Sequence, residues 1–296
     1  MNILIIGASG LVGGACFDYF SKSTQHIVTG TFRSFKSDHR FLVFDPLGNP
    51  SSLALLDQKW DAIILTAALT DVNLCEKEVD FSFKNTVSLT QLIVDKIKNT
   101  SAKLLYISTD YVFDGLKGPY YETDNVNPIN VYGRHKLKAE EIIQRELSNF
   151  AIFRVTNVYG EESRGKNFVV RLIKQAKAGQ RIDLDIPQDQ FATPVYSFDI
   201  ARSIELVLGS KSATIFHVAG TDYYNRFQLA QKVLAYVPGH QVYIRPQKSG
   251  GGSQSAVRPL RGGLVNKRLY DFDPLLTYVN VDAFASAYAA KGFFWI

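Results

Sequence analysis

Short apolar runs recur over the first two thirds of this chain, and stretches with helical spacing separate them. The runs at 2–6, 25–32, 41–44, 62–66, 103–108, 151–155 and, later, 214–219 read as strands. They are mainly apolar rather than alternating, as befits strands covered on both faces. Helical patterns fall between them at 10–20, 51–56, 81–98, 132–147, 167–178 and 198–208. Such strand–helix alternation predicts an α/β fold with a doubly wound parallel sheet. In the last third the pattern fades. Segment 245–259, RPQKSGGGSQSAVRP, is rich in glycine and serine and predicts a mobile loop, centred on 249–255.

Composition narrows the field. The chain has 296 residues, 46% hydrophobic and 21% charged, which is ordinary for a soluble globular protein. That length suffices for one large domain or two modest ones. No apolar run approaches the roughly 18 residues of a membrane helix. The opening MNILIIGASG lacks the basic start of a signal peptide, so a cytoplasmic location is expected. Cys16 and Cys75 sit in apolar helical settings and are expected to be buried, reduced and inert. The net charge of +5 comes without a run of five like charges. Nucleic-acid binding is therefore not signalled, and an anionic ligand suits the excess. The five histidines (26, 39, 135, 217, 240) show no metal-ligand spacing, and no metal site is predicted. Trp60 and Trp295 are expected to be packing residues.

The first chemical motif is Gly7-Ala8-Ser9-Gly10-Leu11-Val12-Gly13, spaced GxxGxxG. It follows a strand and opens a helix. Glycines there permit a tight turn and bring backbone N–H groups close to a pyrophosphate, with the helix N-terminus facing the negative charge. This predicts dinucleotide binding. An NAD-selective site usually offers an acid at the end of the second strand. Here that strand closes with Phe32-Arg33-Ser34. Arg33 suits a 2′-phosphate, so NADPH is the expected cofactor and NADH the alternative. The expected division is a dinucleotide-binding domain, 1–158, to which 187–221 returns, and a smaller, irregular C-terminal substrate lobe, 159–186 and 222–296.

A second motif pairs with the first. Tyr132 and Lys136 are four apart on a predicted helix and share a face. A strand ending in Ser108-Thr109 would meet them at the carboxyl edge of the sheet, where such folds bind ligands. Tyrosine is a poor acid near its free pKa of about 10. A neighbouring ammonium is expected to lower that value toward neutrality. The phenol then exchanges a proton with a carbonyl or alcohol while a nicotinamide exchanges hydride. The strand-end hydroxyl orients the same oxygen.

Taken together, the motifs resemble those of the extended short-chain dehydrogenases/reductases, and more closely the dTDP-4-dehydrorhamnose reductase family. YISTDYVFDG and YETDNVNPINVYGRHKLKAEEII carry the closest likeness. The resemblance implies a Rossmann fold and catalytic roles for Thr109, Tyr132 and Lys136, with Ser108 as neighbour. It places Gly7, Ser9, Gly10, Leu11, Val12 and Gly13 on the pyrophosphate, Asp45 of VFDP on the adenine side, and Ala67, Ala68 and Thr70 along the cofactor. Tyr132 and Lys136 also reach the cofactor in this scheme, Lys136 at the nicotinamide ribose. Val72, Thr109, Asp110, Asn157 and Arg258 fall near the sugar. Arg154, Tyr159 and Gly160 lie in a segment, RVTNVYG, that enters the substrate lobe. The late motifs depart from the pattern: 189–201 reads DQFATPVYSFDIA, and the arginine–proline motif continues Leu260-Arg261-Gly262-Gly263. Magnesium is implied by the resemblance alone.

Three functions follow. The first is an NADPH-dependent reductase of a nucleotide-linked 4-dehydro-6-deoxy sugar. The second is a sugar-nucleotide epimerase or dehydratase on the same fold. The similar 4,6-dehydratases place Asp-Glu directly after the threonine, whereas Asp110 here precedes Tyr111. The third is a non-catalytic regulatory subunit like that of methionine adenosyltransferase. The expected partner is a small nucleotide sugar, with no nucleic acid and no membrane, and a homodimer is the one protein assembly admitted.

Overall fold

The computed structural model describes residues 1–162, 164–250 and 255–294. The chain begins β1 (Asn2–Ile6), α1 (Leu11–Ser21), β2 (Ile27–Phe32), β3 (Leu42–Val43) and β4 (Ala62–Leu65). It continues with α2 (Val72–Lys77), α3 (Val79–Phe83), α4 (Leu89–Ile97), β5 (Lys103–Thr109), α5 (Val131–Glu146) and β6 (Phe150–Val155). Next come β7 (Val158–Tyr159), α6 (Phe168–Lys177), β8 (Ile182–Pro187), β9 (Phe191–Ala192), β10 (Val195–Tyr196) and α7 (Ser197–Leu208). The last elements are β11 (Thr214–Val218), β12 (Tyr224–Asn225), α8 (Arg226–Leu234), β13 (Val242–Gln247), α9 (Lys267–Phe272) and α10 (Val281–Lys291).

Seven strands form one parallel sheet in the order β11-β6-β5-β4-β1-β2-β3. Side chains alternate between its faces, and both faces are apolar. Ile3, Ile5, Ile64, Leu105 and Phe153 pack with Phe17 and Phe20 of α1 and Ile204 of α7. Leu4, Ile6, Ile63, Leu104 and Ile152 pack with Ile93 of α4 and Ile143 of α5. This two-sided burial is why the strands read as apolar runs. The strand order reverses between β1 and β4, and a crevice opens there beyond the carboxyl ends, as the topology requires.

Outside the sheet the structure revises several expectations. Residues 51–56 belong to a 3₁₀ stretch, Pro50–Asp57, entered through a proline and capped by Asn49. The helix expected over 81–98 is interrupted by a π-helical turn, Lys84–Ser88, that leaves Asn85 buried. Residues 245–247 are not loop: they complete β13, which pairs in parallel with β8. Of the glycine-rich stretch 249–255, residues 251–254 lie outside the described residues, as does Trp295. Its flanks are anchored, Ser249 to Asp189 and Ala256 to Asn73. The C-terminal part is also more regular than its sequence suggests. Helices α6, α8 and α10 share an apolar cluster of Val170, Ile173, Leu229, Val233, Phe284 and Tyr288.

Candidate active site

The glycine turn shows a division of labour. Gly7 has φ +96°, the left-handed region that favours glycine. A Cβ on Gly13 would stand 2.2 Å from the Gly7 carbonyl, so this glycine lets α1 pack onto the turn. A Cβ on Gly10 would meet just the Gly7 carbonyl, at 3.4 Å. The protein itself leaves room there; the space serves what lies outside the backbone. Gly10 is the N-cap of α1, and no side chain caps the helix and no acid sits in its first turn. Its orphan N–H groups and the positive end of its dipole face the crevice. This cradle fits the pyrophosphate of a dinucleotide.

One cleft of ≈710 Å³ runs from this turn across the sheet edge. Its lining includes Gly7, Ser9, Gly10, Leu11, Val12, Gly13, Arg33, Asp45, Ala67, Ala68 and Thr70 at one end, and Thr109, Asp110, Tyr132, Lys136 and Asn157 further along. Arg33 is exposed at the mouth, and its guanidinium donates to Asn85 Oδ1. Asp45 accepts from the Gly48 amide at 3.3 Å. Val72 and Arg258 do not line the cleft. Arg258 instead donates to Asn73 Oδ1 at 2.9 Å, tying its segment to the start of α2.

Tyr132 reaches its place through the start of α5. Asn130 caps that helix by accepting from the Gly133 amide at 2.8 Å. A Cβ at Gly133 would lie 2.1 Å from the Tyr111 carbonyl, so only glycine lets α5 close on the turn after β5. Tyr132 then faces Thr109, and the Tyr111 ring packs edge-on against it at 5.7 Å. Burial raises the Tyr132 phenol well above its ordinary range; Thr109 opposes this by hydrogen bonding and Asp110 adds to it. Lys136 is 3% exposed, and its ammonium donates to the Ile107 carbonyl at 2.5 Å. Burial lowers its pKa to about 7, with Glu140 pulling the other way. The expectation that Lys136 draws the phenol toward neutrality is therefore corrected. Desolvation outweighs it, and the lysine's own charge is suppressed.

Ser108 borders the cleft, but its hydroxyl is taken up by a partner behind the strand end. Its hydroxyl donates to Glu140, which is fully buried and pairs with Arg154 at 2.7 Å. Thr109 alone of the two strand-end hydroxyls faces Tyr132. Asp110 is buried and accepts from Thr156 Oγ1 at 2.7 Å; burial raises its pKa. Asn157 is, among the described residues, the one non-glycine with positive φ, at +36°. Sequence reasoning missed Arg226, Gln190 and Phe168, which border the cleft or a small hollow beside it. Gln190 lies in the late motif 189–201 and Phe168 in the expected helix 167–178, neither of which marks them as cleft residues, and Arg226 lies where no motif falls. His135 bonds to Ser82 at 2.8 Å, away from the cleft. Among the described residues no three His, Cys, Asp or Glu side chains gather as a metal site requires, and Cys16 and Cys75 are free and buried. No helix among these residues is long and apolar enough to cross a membrane.

The family described as RmlD substrate binding domain matches residues 1–273. The chain belongs to this family. A dTDP-4-dehydrorhamnose reductase of Aggregatibacter actinomycetemcomitans is 30% identical, over 80% of this chain and 82% of that one. Methionine adenosyltransferase 2 subunit beta of Bos taurus is 28% identical, over 77% and 70%. The match to a spore coat polysaccharide biosynthesis protein of Bacillus subtilis, 33% identical, spans 60% of that protein's length. A dTDP-4-dehydrorhamnose reductase of Bacillus anthracis, solved in complex with NADP, superposes with TM-score 0.82 over 95% of both chains at 24% identity, a likeness of fold. This RmlD-type chain thus has the extended short-chain dehydrogenase/reductase form of the Rossmann fold.

Proposed function

We propose that this chain is an NADPH-dependent reductase that turns the 4-keto group of a nucleotide-linked 4-dehydro-6-deoxy sugar into an alcohol. One observation carries the reading. The half-buried phenol of Tyr132, its pKa raised by desolvation, faces Thr109 on the same cleft as buried Lys136 and an uncapped glycine cradle. The relatives named as dTDP-4-dehydrorhamnose reductases support the substrate class.

NADPH, when bound, supplies the hydride. The chain's residues do the rest. Tyr132 donates a proton to the sugar oxygen, and reduction needs the protonated form that burial maintains. Thr109 orients that oxygen through its hydroxyl. Lys136 holds the nicotinamide ribose. Gly10 and the first turn of α1 take the pyrophosphate, Arg33 the 2′-phosphate, Asp45 the adenine side, and Ala67, Ala68 and Thr70 the flank of the cofactor. Asp110 and Asn157 face the sugar. The division into a dinucleotide-binding domain (1–158 with 187–221) and a substrate lobe (159–186 and 222–296) belongs to this proposal. The separate apolar cluster of α6, α8 and α10 supports it.

A second reading, a regulatory subunit, rests on the likeness to methionine adenosyltransferase 2 subunit beta. Dehydration is disfavoured, because Tyr111 stands where the glutamate would be. The test is NADPH oxidation against a panel of dTDP- and UDP-linked keto sugars. Turnover of one 4-dehydro-6-deoxy sugar supports the reductase. No turnover of any, with NADPH bound tightly, transfers the case to the regulatory subunit.

A further inference from the structure

We propose that Arg226 binds the phosphate attached to the sugar's anomeric carbon, and so reads the substrate as a nucleoside diphosphate sugar; this rests on the reductase reading.

Arg226 is the first residue of α8. The helix start is fixed by a reciprocal cap: Asn225 accepts from the Gln228 amide at 2.8 Å, and Gln228 accepts from the Asn225 amide at 3.0 Å. The Arg226 amide donates to the Gln190 carbonyl at 3.1 Å, which ties the helix start to the cleft wall. The guanidinium lies 4.1 Å from the Phe168 ring centroid. Its side chain borders both the main cleft and the adjoining hollow, the latter with Asp110, Tyr111 and Asn157. None of the ion pairs among the described residues includes it.

The surroundings make that missing counter-charge matter. Burial is the main influence disfavouring the charged form of Arg226; Tyr111 opposes it, and Arg171 and Arg258 add repulsion. Two acids that share the cleft lining with Arg226, Asp110 and Glu162, are engaged elsewhere. Asp110 Oδ2 accepts from Thr156 and from the Gly263 amide. Glu162 accepts from the amides of Arg164, Lys166 and Asn167. A partly desolvated guanidinium without a carboxylate is costly to keep, and an incoming anion relieves that cost. The planar fork, steadied on Phe168, matches two phosphate oxygens.

Position selects the phosphate. Tyr111 packs against Tyr132 and lines, with Arg226, the small hollow beside the cleft. Tyr111 thus connects the position of Tyr132 to the hollow that Arg226 borders. C4 and C1 are opposite ends of a pyranose. With C4 at Tyr132, the anomeric phosphate is carried toward Arg226.

The test is calorimetric titration of NADPH-saturated protein with dTDP, UDP and thymidine, for the wild type, Arg226→Gln and Arg226→Lys. Arg226→Gln is expected to weaken the preferred diphosphate at least tenfold, with Arg226→Lys between, and to leave thymidine and NADPH affinities unchanged. Should Arg226→Gln fail to fold, the Arg226→Lys loss decides. Equal diphosphate affinity in the wild type and the folded variants overturns the proposal alone. A loss of NADPH affinity instead of diphosphate affinity also overturns it, by placing Arg226 on the cofactor. A wild type that binds neither dTDP nor UDP overturns it together with the reductase reading.

Discussion

The ammonium of Lys136 stands 4.0 Å from the centroid of the Tyr106 ring. The carbonyl of the next residue of the same strand, Ile107, accepts its hydrogen bond at 2.5 Å. Strand β5 thus holds the lysine twice, by a ring face and by a carbonyl, before it ends in Thr109. When the lysine is protonated, below about pH 7, its cation over the aromatic face is worth about 0.5–2 kcal/mol. Tyr106→Phe keeps the ring and is expected to leave turnover nearly unchanged. Tyr106→Leu is expected to lower it by about 2- to 30-fold, the same range expressed as a rate. Steady-state kinetics on the two variants separates these outcomes.

Arg33 is positioned by Asn85, which the π-helical turn buries beside the cleft. The wild type is expected to bind NADPH more tightly than NADH, and Arg33→Asp to reverse the order. Asn85→Ala is expected to weaken NADPH binding while sparing NADH, because it frees the guanidinium without touching the cradle. Fluorescence titration with both cofactors checks all three. Equal affinities in the wild type would remove the argument from Arg33.

The glycines of the turn are expected to separate folding from binding. Gly13→Ala places a methyl against the Gly7 carbonyl and should lower Tm and cofactor affinity together. Gly10→Ala meets no close atom of the protein. It should leave Tm unchanged and weaken NADPH binding. Thermal melts with and without NADPH measure both effects.

Lys136 also predicts a pH dependence of stability. Its pKa in the folded protein is lowered to about 7, against about 10.4 for a free lysine. Between these values the unfolded chain carries a proton that the folded chain lacks, so unfolding becomes harder as pH rises. Lys136→Met lacks this contribution. From pH 7 to pH 9 the urea midpoint of the wild type should rise relative to that of the variant. A constant difference would mean that the folded lysine keeps its charge.

What the sequence revealed follows from what each signal depends on. Strands β1, β4 and β5 are buried on both faces, so their apolar runs are unmistakable. The pairing of Tyr132 with Lys136, and of both with Thr109, follows from helix spacing and strand order, which are local or topological. The role of Ser108 was not legible, because its partner Glu140 is chosen by a buried arginine on a third element, β6. The raised phenol of Tyr132 depends on burial by the whole fold, and counting a nearby lysine gave the wrong direction. Arg226 opens a helix in a segment with no motif, and its isolation from carboxylates exists only in three dimensions. The π-helical turn that presents Asn85 to Arg33 leaves no trace in the hydrophobic spacing.

The central claim is that Tyr132 gives the proton in a reduction driven by NADPH. The measurement that tests it most directly compares wild type and Tyr132→Phe for both NADPH affinity and turnover, on a nucleotide-linked 4-dehydro-6-deoxy sugar that the wild type reduces. The substitution keeps the ring and removes the proton. The account predicts nearly unchanged cofactor affinity and a loss of turnover of about 10²–10⁴. Turnover in Tyr132→Phe equal to that of the wild type would contradict it.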